Sequence, residues 1–148
     1  MSLFDKINQD IKTAMKEKQA DKLSALRAIK SELLLEQTSG SGKEITEEKE
    51  IKIVQKLIKQ RKDSAEIYKK EGREDLYEKE MSEIKFLEAY LPEQMSEEEL
   101  DAIIKEAIEK TGASSMKDMG KVMGMVNAKV AGRAEGKVIA QKVKAALA

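Results

Sequence analysis

The sequence predicts an all-α protein with a four-helix N-terminal domain, which contains a long helical hairpin, and a small three-helix C-terminal domain. Leu, Ile, Ala, Lys and Glu dominate, and only 3% of residues are aromatic, a composition that favours amphipathic helices over strands. Apolar residues recur at spacings of three and four along successive segments, which is the period of a helix face. Capping residues, glycines and a single proline separate these segments and mark where each helix begins and ends.

Four segments form the N-terminal domain. Ser2 can cap a first helix that runs to about Lys18, and a second helix continues to the loop-like run at residues 38–42. Thr46 can cap a long third helix that ends at Gly72, after which a fourth lies back on the third as a hairpin. The residues predicted to face this core include Leu3, Ile7, Ile11, Met15, Leu23, Leu26, Ile29, Leu33, Leu34, Ile51, Val54, Leu57, Ile58, Ile84 and Leu87.

Pro92 sets the predicted domain boundary. A proline moves the preceding residue out of the helical conformation and ends the helix before it. The fourth helix therefore stops at this point. We expect one domain at residues 1–92 and a second at residues 93–148.

Three shorter helices form the C-terminal domain. Ser96 opens the first of them with a capping-box pattern, and Gly112 closes it. Ser115 caps the next helix in a weaker form of the same capping pattern, and the last helix begins at about Glu135. The residues predicted to face this core are Leu100, Ile103, Ile104, Ala107, Ile108, Met119, Val122, Met123, Val126, Ile139, Val143, Ala146 and Leu147.

Several classes of function are disfavoured by what the composition lacks. Cys and His are absent, which removes disulfides, thiolate ligands and any Ser-His or Cys-His nucleophile. The glycines at residues 132 and 136 fit neither the dinucleotide nor the phosphate-loop spacing. We therefore expect no catalytic residue, no cofactor and no metal. Without an apolar run long enough for a signal peptide or a membrane span, we also predict no membrane association and a cytoplasmic location.

Charge is distributed unevenly although it cancels overall. The chain has 28 basic and 28 acidic residues, which argues against non-specific binding of polyanions by the whole surface. Residues 97–111 contain six acids against two lysines, whereas residues 112–148 contain seven basic residues against two acids. A locally basic C-terminal region follows an acidic helix.

Small residues form a strip in the sixth predicted helix, where Gly120, Gly124 and Ala128 recur every four residues. Glycine inside a helix is less favourable than alanine by about 1 kcal/mol, so these positions indicate a need for close approach. One interpretation is a smooth surface against which an RNA backbone lies. The alternative is that another helix of the same bundle packs there. The methionines of this region are assigned to core packing: Met116, Met119, Met123 and Met125.

Basic residues surround this strip and extend along the last helix. Gly132 and Arg133 begin a turn at the start of that helix, where free backbone N–H groups favour an anion. The alternative is that the lysines simply solvate an exposed face. The candidate RNA- or partner-binding residues are Lys117, Gly120, Lys121, Gly124, Lys129, Gly132, Arg133, Gly136, Lys137 and Lys144.

Four short motifs carry a family resemblance, namely LRAIK at 26–30, YLPEQ at 90–94, MGKVMG at 119–124 and GRAEGK at 132–137. In this order they resemble the YqeY family over essentially the whole chain. The C-terminal part is similar to the helical tail domain of GatB, the subunit of tRNA-dependent amidotransferase whose tail engages tRNA. The resemblance implies RNA-contacting roles for Lys121, Gly124, Gly132, Arg133, Gly136 and Lys137. Glu135 departs from the Asp that is common in the family motif and caps a helix better.

Three hypotheses for function follow. The first is a non-catalytic accessory protein that binds tRNA or another structured RNA. The second is an adaptor whose glycine strip receives a helix of a protein partner from translation or amidotransferase assembly. The third is participation in glutamine-dependent carbon–nitrogen ligase activity, which the family resemblance suggests and for which these residues supply no ATP or metal site.

Overall fold

The fold is all-α, as predicted. A computed structural model describes residues 2–39 and 44–148, and within them every regular element is helical. Ser115 leads into a single 3₁₀ turn, Met116–Asp118, before the sixth helix. The seven α-helices of the described residues are α1 Leu3–Lys16, α2 Ala20–Ser39, α3 Glu47–Lys70, α4 Glu74–Glu88, α5 Glu97–Thr111, α6 Met119–Val130 and α7 Gly136–Leu147.

The chain divides into two compact units, Met1–Leu91 and Pro92–Ala148. In the first unit, α1 packs on α2, α2 on α3 and α4, and α3 forms a hairpin with α4. Its largest fully buried side chains are Ile7, Leu26, Ile29, Leu33, Val54 and Leu87. In the second unit, α5, α6 and α7 pack on one another, and the fully buried side chains are Val122, Val126, Val130, Ile139 and Val143.

Local capping chemistry sets most of the helix ends. The hydroxyl groups of Ser2, Thr46 and Ser96 each accept a hydrogen bond from the backbone N–H three residues later, at 3.1 to 3.2 Å. These predicted N-caps are confirmed. Gly72 and Gly112 follow α3 and α5 with φ of +72° and +66°, the left-handed conformation that glycine adopts without a Cβ penalty.

Three side chains predicted to face the core are exposed. Met15 is 56% exposed, whereas the preceding residue, Ala14, is buried. The last turn of α1, which ends at Lys16, therefore faces the core with Ala14. Leu34 is 41% exposed beside the buried Leu33. Ala146 is likewise exposed. In each case the buried stripe is narrower than the apolar pattern.

The predicted loop at residues 38–42 overlaps the end of α2. Thr38 and Ser39 form the last residues of α2, and the Thr38 hydroxyl donates to the carbonyl oxygen of Leu34 at 3.0 Å. The remainder of the predicted loop, residues 40–42, lies outside the described residues.

Polar contacts of partly buried side chains also join the helices of the first unit. The carboxylate of Glu83 on α4, 5% exposed, faces the Arg61 guanidinium on α3 at 3.5 Å, and Arg61 also donates to the carbonyl oxygen of Leu57 at 3.1 Å. The Tyr90 hydroxyl donates to the carboxylate of Asp10 on α1. No helix in the described parts of the chain has the length and hydrophobicity needed to span a membrane.

Candidate nucleic-acid interface

The small-residue strip on α6 is open. Gly120, Gly124 and Ala128 are all exposed, and a Cβ atom added at either glycine would meet no heavy atom within 4 Å among the described residues. The alternative in which another helix of the bundle packs on these glycines is therefore wrong for this unit. The helical glycines have a cost of about 1 kcal/mol each that no packing in the unit offsets.

Acidic side chains of α5 form ion pairs with three of the seven basic residues that follow this helix. Lys129 pairs with Glu106 at 3.0 Å, and Lys142 pairs with Asp101 at 2.8 Å. The third basic residue, Arg133, lies 3.5 Å from an acidic side chain of the same helix. These three are therefore directed towards α5.

The pKa shifts in the second unit follow from these pairs. Hydrogen bonds from Lys110 and Lys129 hold the pKa of the Glu106 carboxyl below its ordinary value. The hydrogen bond to Asp101 raises the pKa of Lys142 above its ordinary value. Both shifts stabilise the charged forms of the partners. Acidic side chains of α5 thus neutralise Lys129 and Lys142 within the second unit.

The other four of the seven basic residues that follow α5 form no ion pair within the described residues. Lys117 lies in the 3₁₀ turn, Lys121 on α6, and Lys137 and Lys144 on α7, and all four are exposed. None of the four side chains forms an ion pair with any residue in 2–39 or 44–148. Four of the predicted cations are therefore available to an external anion.

The ion pair of Lys129 shows which side of α6 faces α5. Around the helix from Lys129, Lys121 lies at about 80°, Gly124 at about 140° and Gly120 at about 180°. Both glycines are therefore on the side of α6 away from α5, and Lys121 borders them.

The same argument applies to α7, where Lys142 marks the side that faces α5. Lys144, two residues after Lys142, lies about 200° around the helix from it. Lys137, five residues before Lys142, lies at about 220° in the same direction, so both lysines are on the side opposite Lys142. The α7 lysines are thus on the side of α7 away from α5, as the glycines are on α6, and α6 packs on α7; from these helix positions we infer one surface. We call this surface the α6–α7 face; its residues are Gly120, Lys121, Gly124, Ala128, Lys137, Gln141 and Lys144.

Arg133 lies apart from this face and connects two segments of the second unit. Its Nε donates to the carbonyl oxygen of Glu93 at 2.8 Å, and its terminal nitrogen lies 3.5 Å from a carboxylate oxygen of Glu99. The backbone N–H of Met95 donates to the Arg133 carbonyl oxygen at 2.7 Å. These contacts fasten residues 93–95 to the turn between α6 and α7.

That turn depends on left-handed backbone conformations. Ala131 and Gly132 have φ of +47° and +83°, and the Gly132 carbonyl oxygen accepts a hydrogen bond from the Gln94 side chain at 3.3 Å. Gly136 is the exposed first residue of α7, and the preceding Glu135 makes no side-chain cap hydrogen bond. The predicted start of the helix at about Glu135 agrees with its position as the N-cap residue of α7.

Sequence reasoning missed two features of this unit. The partners of Arg133 lie 34 to 40 residues away along the chain, so no local pattern indicates them. Met116 is 41% exposed, although it was predicted to pack, whereas Met119, Met123 and Met125 contact the core. The described parts of the chain contain no group of acidic side chains that could hold a metal ion.

The fold and its charged surface define a small all-helical protein of two units, the second with an open basic face. The chain belongs to the YqeY-like protein family, whose pattern it matches over residues 4–147. The family predicted from the four sequence motifs is thereby confirmed.

Curated fungal relatives are similar to much of the chain. The protein named altered inheritance of mitochondria protein 41, mitochondrial, from Pyrenophora tritici-repentis is 32% identical over 146 residues, which cover 96% of this chain and 79% of that protein. A protein of the same name from Kluyveromyces lactis is 39% identical over 99 residues, covering 65% of this chain and 53% of its own length. The corresponding protein from Lachancea thermotolerans is 36% identical over 98 residues, covering 65% and 52%.

These names correct one prediction. The cytoplasmic location predicted from the composition is wrong by this comparison, because the relatives are named as mitochondrial proteins. The prediction relied on missing cysteines and missing apolar runs. Such properties do not distinguish the cytosol from other aqueous compartments, so they carried less information than the prediction required.

Proposed function

We propose that this chain is a non-catalytic protein that binds tRNA or another structured RNA through the α6–α7 face. The observation that carries the proposal is the group of four unpaired lysines, three on the α6–α7 face beside the open glycine strip and Lys117 in the 3₁₀ turn before α6. Lys129, Arg133 and Lys142 are bound to α5 acids, whereas Lys117, Lys121, Lys137 and Lys144 have no such partner in the part of the chain that the structure describes.

Electrostatics favours a phosphate-bearing partner for this face. Lysine ammonium groups bind phosphates with release of condensed counterions, which supplies most of the sequence-independent affinity for nucleic acid. The chain as a whole carries no net charge, so attraction must come from a local surface. The α6–α7 face, with Lys121, Lys137 and Lys144 and no acidic residue among its members, is such a surface.

The open glycines favour a partner whose backbone comes close to the helix. Gly120 and Gly124 leave α6 without side chains at two successive turns on its exposed side. A nucleic-acid backbone can come close to the helix at these positions, and neighbouring lysines can then contact its phosphates. The resemblance of residues 93–148 to the GatB tail domain, which engages tRNA, also supports this proposal.

Titration of fluorescent tRNA with the full chain tests the proposal. Lys137→Glu should weaken binding by about tenfold or more, since it removes one phosphate contact and adds a repulsive charge. A carboxylate in the first turn of α7 suits the helix dipole, so loss of binding cannot be attributed to unfolding. Lys105→Glu makes the same charge change on α5, at an exposed lysine without an ion pair among described residues, and should have a much smaller effect. Absent binding, or equal losses in the two variants, would contradict the proposal.

A protein adaptor is the second candidate function, and the openness of the strip also favours it. Small residues at every fourth position allow close approach of a partner helix, and Met116 is 41% exposed just before α6. In this case Gly124→Leu should abolish capture of a protein partner while helicity is unchanged by circular dichroism. Capture of the same partner by Gly124→Leu would count against the adaptor.

A further inference from the structure

Aromatic side chains are confined to the first unit. The five in the chain are Phe4, Tyr68, Tyr77, Phe86 and Tyr90, and the second unit begins at Pro92. Residues 92–148 therefore present no aromatic ring to an RNA base. The α6–α7 face lies wholly within this ring-free unit.

An arginine plane can replace an aromatic ring as a stacking surface, and the second unit contains one arginine. Arg133 is held by the carbonyl oxygen of Glu93 at 2.8 Å and by the Glu99 carboxylate at 3.5 Å. Its guanidinium is thus engaged in contacts within the protein and lies outside the α6–α7 face. An unstacked base has no planar partner on this face.

Stacking supplies much of the affinity of proteins that bind single-stranded RNA, in addition to their phosphate contacts. Proteins that bind loops or single strands place splayed bases against aromatic or arginine planes, at about 1–3 kcal/mol per base. The α6–α7 face offers ammonium groups and smooth backbone in place of such planes. Such a face is better suited to bind the outer surface of an RNA double helix than to bind unpaired bases.

The arrangement of the face matches the shape of a double helix. The glycine strip extends from Gly120 to Ala128, about 12 Å at the rise of an α-helix. Lys121 borders the strip on one side, and Lys137 and Lys144 of α7 lie on the other. A-form RNA has a wide, shallow minor groove lined by 2′-hydroxyl groups and flanked by two phosphate strands. A smooth ridge with cations on both sides is complementary to that groove.

We infer that the α6–α7 face binds A-form double-helical RNA across its shallow minor groove, without reading base sequence. The inference rests on the proposed function and specifies the class of RNA. It assigns the glycines to the groove and the lysines on either side to the two phosphate strands. The stems of a folded RNA, as opposed to its loops, are the predicted contact.

Competition among three probes tests this inference on the full chain. The probes are an RNA hairpin with a long stem, an unstructured RNA strand with the same number of phosphates, and a B-form DNA duplex of the stem sequence. The hairpin should bind about tenfold more tightly than the other two. A second hairpin with a scrambled stem should bind with the same affinity.

The outcomes separate the inference from the function on which it rests. Equal or tighter binding of the unstructured strand would overturn the duplex inference and leave RNA binding standing. Equal binding of the DNA duplex, or strong preference for one stem sequence, would overturn it as well. Failure of every RNA probe to bind would overturn the proposed function itself.

Two substitutions link the result to the strip. Gly124→Leu adds a side chain into open space, so the protein should fold, and it should weaken hairpin binding by about tenfold because the ridge no longer fits the groove. Gly124→Ala should cause a smaller loss. Unchanged hairpin binding by Gly124→Leu would contradict the assignment of the strip to the groove.

Discussion

Arg133 and Glu93 are joined by a 2.8 Å hydrogen bond from the guanidinium Nε to the backbone carbonyl oxygen. The backbone of Arg133 in turn accepts from the N–H of Met95 at 2.7 Å. The arginine thus stabilises the entry into the second unit by contacts made within that unit. A residue predicted to bind phosphate thus has partners within the protein, and this observation leads to the first prediction.

Arg133→Ala should lower the free energy of unfolding by about 1 kcal/mol, the scale of one partly exposed charge-assisted hydrogen bond. Chemical denaturation measures this change. Lys137→Ala is the control and should alter stability by less than about 0.5 kcal/mol. If Arg133→Ala preserves stability and weakens RNA binding as much as Lys137→Ala does, Arg133 contacts phosphate and the structural assignment fails.

Gly124→Ala should stabilise the second unit by about 1 kcal/mol, since alanine favours a helix interior and a Cβ here meets no heavy atom within 4 Å among the described residues. Thermal and chemical unfolding of the full chain measure the gain. A stabilised variant would indicate that Gly124 does not serve folding. A destabilised one would mean that the position is packed in solution.

Glu83→Ala should destabilise the first unit by about 3 kcal/mol, because it leaves the largely buried guanidinium of Arg61 without its carboxylate. A double-mutant cycle with Arg61→Met isolates the pair. The double variant should recover part of the loss, since no unpaired buried charge remains. Losses that simply add would show that the two side chains do not interact.

Tyr90 should make the first unit sensitive to alkaline pH. Burial, then the hydrogen bond to Asp10 and its negative charge, raises the pKa of the Tyr90 phenol. A raised pKa in the folded state gives stability that is complete below the unfolded value of about 10 and is lost as pH rises above it. The difference in unfolding free energy between the native chain and Tyr90→Phe should therefore shrink above about pH 10. A constant difference across this range would exclude the effect.

Local chemistry explains why the helices could be predicted. Ser2, Thr46 and Ser96 cap backbone groups three residues away, and Gly72 and Gly112 need only their own left-handed conformation. These signals are contained within one helix turn of sequence. Helix boundaries were accordingly predicted to within about two residues at most ends.

Long-range packing explains what the sequence left undetermined. Whether Gly124 faces solvent or a neighbouring helix depends on the directions of α5 and α7, which the spacing of glycines does not specify. The division of the basic residues is similar, because Lys129 and Lys142 are neutralised by Glu106 and Asp101, more than twenty residues earlier. The candidate surface could be predicted as a set of residues, and its separation into paired and unpaired cations could not.

The salt dependence of tRNA binding by the full chain tests the central claim most directly. Four phosphate contacts, three from Lys121, Lys137 and Lys144 of the α6–α7 face and one from Lys117 in the adjoining 3₁₀ turn, predict that affinity falls roughly 100-fold as salt rises from about 50 to about 200 mM. Lys137→Ala should reduce the slope of log affinity against log salt by about one, and Lys105→Ala should leave it unchanged. Binding that is insensitive to salt, or a slope that Lys105→Ala and Lys137→Ala change equally, would contradict recognition by the α6–α7 face.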